Sequence, residues 1–99
     1  MNTTIEFTPN EVLVKGTRNS QQTGKSTLKN IGEVDFICKN VSANCGCTVP
    51  RNIKTGTILK PGETIEVDFS IKLGTQGTKR IFVMGNCVTA SLGINIEFI

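Results

Sequence analysis

Thr64-Ile65-Glu66-Val67-Asp68-Phe69-Ser70-Ile71-Lys72 is the stretch on which the fold turns. Ile65, Val67, Phe69 and Ile71 share one phase of a two-residue period, and Glu66, Asp68, Ser70 and Lys72 share the other. Successive side chains of an extended chain point to opposite faces, so this segment is a strand with one apolar and one wet face. A face of that kind is stable only when a second layer covers it.

Working outward, the pattern recurs. Leu92, Ile94, Ile96 and Phe98 alternate around Asn95 and Glu97, and Ile81 and Val83 point inward from the segment Arg80 to Met84. Upstream, Ile5 with Phe7, Val12 with Val14, Leu28 with Ile31, and the run Val34 to Val41 supply four shorter β segments. Breaks fall at Thr8-Pro9-Asn10, Gly16 to Gly24, Asn30-Ile31-Gly32-Glu33, Lys60-Pro61-Gly62-Glu63, Gly74 to Gly77 and Gly85-Asn86. Pro61-Gly62 reads as the centre of a type II turn, because proline presets the first dihedral and glycine accepts the positive one that follows. The polar stretch Thr17 to Lys25 reads as a long mobile loop. Short strands punctuated in this way predict an all-β, immunoglobulin-like antiparallel β-sandwich of about seven strands. Residues 1–99 form a single domain, since a chain of 99 residues holds one core.

Composition narrows the function. Histidine, tryptophan and tyrosine are absent, which removes the commonest general base and metal ligand together with the rings favoured at many binding sites. The net charge of +3 is carried by dispersed residues, with only Lys79-Arg80 adjacent, so no concentrated nucleic-acid stripe is expected. No run approaches the ~20 apolar residues of a membrane span. Met1 to Glu6 has neither the basic start nor the apolar stretch of a signal peptide, which predicts synthesis without export by that route.

Cys38, Cys45, Cys47 and Cys87 are the residues that could carry unusual chemistry. Structural zinc knuckles separate paired ligands by two or more residues, whereas Cys45 and Cys47 flank a single glycine. A disulfide framework fits the count but requires an oxidising compartment. The favoured expectation is reduced cysteine acting as a small hydrophobe, with Cys38 in phase with Val34 and Phe36, and Cys87 beginning the turn into the last strand. Glu63, Glu66 and Asp68 gather near one strand, but Glu66 and Asp68 alternate with its apolar face and are expected to be solvated. Gly74-Thr75-Gln76-Gly77 lacks the lysine and hydroxyl of a phosphate loop and precedes a strand, so it reads as a turn. No catalytic, cofactor-binding or metal-binding residue is therefore assigned.

The ordered set Leu28 to Gly32, Phe36, Val41 to Pro50 with its Cys45-Gly46-Cys47-Thr48 motif, Lys60 to Glu63, Ile65 to Phe69, Gly77 to Val83 and Asn86 resembles a family of Ig-like domains abundant in Bacteroidota. The resemblance implies an antiparallel sandwich related to the major-sperm-protein and chaperone-like type, without catalysis. It implies no molecular function, because fold alone does not carry one. Together with the missing leader, it leads to the expectation of a phage virion protein: a non-enzymatic auxiliary (decoration) protein bound to the capsid surface. Its partners would be the major capsid protein or other virion proteins, contacted through Met1 to Thr4 and the 17–25 loop. The alternative is a periplasmic or cell-surface interaction domain of a Bacteroidota envelope protein.

Overall fold

The computed structural model describes residues 2–44, 46–74 and 77–99. Nine strands are seen among them: β1 (Ile5–Thr8), β2 (Glu11–Gly16), β3 (Gln21–Asn30), β4 (Phe36–Ala43), β5 (Thr48–Arg51), β6 (Ile58–Leu59), β7 (Thr64–Lys72), β8 (Gly77–Gly85) and β9 (Cys87–Phe98). They form a four-stranded sheet in the order β1-β3-β7-β5 and a five-stranded sheet in the order β2-β9-β8-β4-β6. The two layers make a sandwich 44 Å long and about 20 Å across.

The inward phase read from the sequence is the core. Val67, Phe69 and Ile71 of β7 meet Ile81 and Val83 of β8, Leu92 and Ile94 of β9, Phe36 of β4 and Leu28 of β3, all with no exposed surface. Burying each such side chain contributes roughly 1.5–3 kcal/mol, which is what holds the layers together. The Pro61-Gly62 turn is also as read: Gly62 has φ +84° and the Glu63 amide donates to the Lys60 carbonyl at 2.9 Å. Of the four residues Gly74 to Gly77, Thr75 and Gln76 lie outside the described residues.

The β-sandwich itself is as expected, and its details differ in three places. The strands number nine among the described residues instead of about seven, and one pair, β2 with β9, is parallel. The chain leaves β1 at Pro9, changes sheet, and runs β2 alongside β9 from Glu11 against Gly93 to Gly16 against Phe98. The stretch Thr17 to Lys25 is not a long loop either. It is a tight turn from Thr17 to Ser20 followed by the first half of β3. The turn is pinned by the Asn19 amide on the Leu73 carbonyl at 2.7 Å, the Ser20 hydroxyl on the Thr17 carbonyl at 2.6 Å, and Arg18 over the Phe98 ring at 5.4 Å.

The reason the strand was hidden is Gly24, which pairs with Phe69 and occupies an inward position without a side chain. A Cβ there would lie 2.4 Å from Phe69 Cζ. The aromatic ring of β7 covers the glycine of β3, so the apolar group that alternation looks for sits on the neighbouring strand.

Candidate functional site

The outer face of the four-stranded sheet collects the charged side chains that the core excludes. The register sets Lys25 of β3 and Arg51 of β5 directly opposite Asp68 of β7, one from each side. Together with Thr23, Gly24, Glu66 and Phe69 they line a cavity of about 450 Å³. Lys25 reaches Glu66 at 3.6 Å, an exposed pair that contributes little to stability.

Asp68 departs from the expectation that it is simply solvated. Its Oδ2 accepts a 2.9 Å hydrogen bond from Asn52 Nδ2, while its Oδ1 is buried and has no donor. Tight strand pairing and the neighbouring side chains take that oxygen out of water. Glu66 is as exposed as expected, and Glu63 is used locally, its carboxylate accepting from the Lys60 amide at 2.7 Å to close the Pro61-Gly62 turn.

Asn52 is a residue that sequence reasoning missed. It takes φ +66°, and its side-chain amide donates to both the Asp68 carboxylate and the Glu66 carbonyl. The amide thus does what the opposed guanidinium of Arg51 would ordinarily do. Arg51 makes no ion pair among the described residues, and it also lines a second cavity of about 400 Å³ with Pro50, Asn52, Ile53, Lys54 and Thr57. That second cavity lies where the chain leaves β5 and crosses to β6, and its lining holds two cations and no carboxylate. An asparagine after a short edge strand is the only signal the sequence carried for it.

The cysteines divide. Cys38 is buried on β4 and Cys87 half-buried at the start of β9, both as free thiols and both in the positions the sequence predicted. Burial pushes both thiols up from their usual range, and the neighbouring Cys38 raises Cys87 further. A thiol held protonated at neutral pH is a poor nucleophile and a poor metal ligand. Cys47, by contrast, is disulfide-bonded, which corrects the expectation of reduced cysteine at this position. It stands in the turn before β5, half-buried and packed against the core, of which Cys38 is itself a member. Cys45 lies outside the described residues.

Two further asparagines prove to be architectural. Asn30, fully buried, accepts from the Thr3 hydroxyl at 2.6 Å and the Gly32 amide at 3.0 Å, and donates to the Val34 and Leu59 carbonyls at 2.8 and 2.9 Å. Asn86 accepts from the Ile37 amide and donates to the Asp35 carbonyl, both at 2.8 Å. Of the proposed contact segment Met1 to Thr4, Thr3 is therefore committed to the interior, its amide on the Asn86 carbonyl. Met1 lies outside the described residues.

Known structures share this fold. A protein of unknown function from Porphyromonas gingivalis W83 superposes with a TM-score of 0.77 at 12% identity over 98% of this chain and 47% of its own. The ASH / PapD-like domain 7 of human CEP192 gives 0.69 at 9% identity, covering 99% of this chain and 87% of that one. A family 123 glycoside hydrolase from Clostridium perfringens gives 0.70 at 6% identity, with this chain spanning 27% of its length. The chain thus spans about half the length of the Porphyromonas protein, and at these identities the likeness is one of fold. No curated protein sequence matches. The family model described as "Protein of unknown function (DUF1573)" matches residues 5–98, and the chain belongs to that family.

Proposed function

We propose that this domain is a non-catalytic interaction module that works outside the reducing cytoplasm, as a periplasmic or cell-surface part of a bacterial envelope protein. The observation that carries the reading is the separation of the molecule into an apolar interior and an outward polar groove. The interior is mainly apolar, with a few small hydroxyl residues and a fully hydrogen-bonded Asn30, while Lys25, Arg51, Lys54, Glu66 and Asp68 line outward cavities. A rigid double layer displaying such a groove is suited to holding a partner. The disulfide at Cys47 supports this choice of compartment, since a disulfide persists where thiols are not kept reduced.

The narrower reading, a decoration protein on a phage capsid, places the same module on a virion surface, where disulfides also survive. Site-specific photo-crosslinking in the native host, from exposed positions on each sheet face and edge, tests the module. A discrete crosslinked partner is expected from one contiguous set of positions. Failure at every position overturns the reading. Saturable co-sedimentation of the purified domain with capsids selects the virion form, and its absence removes that form.

A further inference from the structure

This inference rests on the reading of the domain as an interaction module and names the chemistry of its partner. We infer that the groove around Arg51 and Lys54, beside the open edge of β5, binds an extended acidic peptide segment.

The first support is charge without compensation. Arg51 stands directly across from Asp68, a placement at which arginine and aspartate ordinarily close on each other. Here the Asn52 amide occupies one carboxylate oxygen, and neither Arg51 nor Lys54 forms an ion pair among the described residues. Asn52 holds its position through a second hydrogen bond to the Glu66 carbonyl. Arg51 lies between two cavities: the first also holds Glu66 and Asp68, while in the second the only other charged residue is Lys54, with Pro50 and Ile53 as apolar lining. A carboxylate flanked by an apolar side chain is the chemistry that complements this lining.

The second support is the main chain. β5 is the outer strand of its sheet. The Lys72 amide donates to the Cys47 carbonyl at 3.0 Å, which fixes the alternation of the antiparallel ladder. Cys47, Val49 and Arg51 turn their peptide groups toward β7, and Thr48 and Pro50 turn theirs to the open edge. Pro50, having no N–H, falls at a pair where none is needed. Thr48 is buried, so the accessible part of this edge is the Pro50 carbonyl, an acceptor that the amide of an extended peptide can meet and that a polyanion without donors cannot use. This favours a peptide over a nucleic acid or an acidic glycan.

The experiment is fluorescence anisotropy of the intact domain with a short labelled peptide that alternates glutamate with valine. Saturable binding is expected, together with amide shifts in NMR spectra at Arg51 and Asn52. The same peptide with glutamine for glutamate should bind weakly. Arg51→Gln with Lys54→Gln should reduce affinity by about tenfold or more, the usual worth of charge-assisted contacts. Lys15→Gln with Lys29→Gln removes the same net charge elsewhere and should leave binding unchanged. All four side chains are exposed, and superimposable circular dichroism melts confirm that the variants fold. Arg51→Lys with Lys54→Arg should keep binding in any case. Absent binding, equal binding of the glutamine peptide, equal loss in both double variants, or tighter binding of heparin through the same residues would each overturn the inference. A crosslinked partner found at positions remote from β5 would retain the interaction module and dispose of the groove.

Discussion

Removing the contact between Phe69 and Gly24 offers the sharpest test of how the two layers are built. Phe69 is fully buried, so Phe69→Ala removes a ring from the centre of the sandwich and should cost about 3–5 kcal/mol. Gly24→Ala works in the opposite sense. Its new methyl would sit 2.4 Å from Cζ and 3.0 Å from both Cε atoms of a ring held by buried neighbours. Overpacking of that kind costs about 1–3 kcal/mol, partly offset by the ~0.5–1 kcal/mol advantage of alanine over glycine within a strand. In the double variant the methyl enters the space the ring has left. Gly24→Ala then becomes neutral or stabilising in the Phe69→Ala background, a favourable coupling of about 1–3 kcal/mol. The assay is urea unfolding followed by far-ultraviolet circular dichroism, because the chain has no tryptophan or tyrosine to report by fluorescence. Additivity of the two substitutions within about 0.5 kcal/mol would refute the stacking of ring on glycine. A Phe69→Ala effect below about 1 kcal/mol would refute the register of β7 itself.

Other consequences are equally direct. Asn30→Leu strips the Val34 and Leu59 carbonyls and the Thr3 hydroxyl of their partner, so unfolding should move by about 3 kcal/mol or more, measured in the same urea titration. Gly62→Ala meets no atom within 4 Å, yet must hold φ +84°, so it should cost about 1–2 kcal/mol from backbone strain alone. Alkylation of the denatured, unreduced chain followed by peptide mass spectrometry should label Cys38 and Cys87, and label Cys47 only after reduction. Because burial raises the Cys38 thiol above its ordinary value of 9.0, the native state favours the protonated form. That preference is complete below the unfolded value and is lost as pH rises through the folded one. Melting temperature should therefore fall above about pH 9 less steeply in Cys38→Ala than in the parent; identical slopes would contradict the burial argument.

How legible all this was depended on where the informative atoms sit. The inward phase of β7 was legible because each of its positions carries its own apolar side chain, whereas the burial of Ser70 and of one Asp68 oxygen on the other phase was not. The same held for the inward residues of β8 and β9. The first half of β3 was illegible because its inward position, Gly24, is filled by a ring from another strand, and a pattern confined to one segment cannot register a group supplied by its neighbour. The parallel pairing of β2 escaped for a related reason. Alternation tells which way a side chain points and nothing of which strand lies alongside. Asn30 read as a turn residue, and by local rules it is one. Its side chain nevertheless joins Thr3, Val34 and Leu59, positions 27, 4 and 29 residues away, and no window on the sequence spans them together.

The groove shows the same limit from the functional side. Arg51, Asn52 and Lys54 are unremarkable in sequence, since a basic and polar stretch after a short strand is the ordinary composition of a surface connection. Their meaning comes from the register that sets Arg51 opposite Asp68, and from Asn52 taking the carboxylate first. Had the arginine closed on Asp68, the edge of β5 would be electrically quiet, and Pro50 would make it a blunted edge of the kind that keeps sheets from joining. With the amide in that place, the strand is blunted against unselective pairing while a cation outside any ion pair among the described residues stands beside the Pro50 carbonyl. An edge so arranged discriminates: it rejects a neutral strand, which gains too few hydrogen bonds, and accepts one that also brings negative charge.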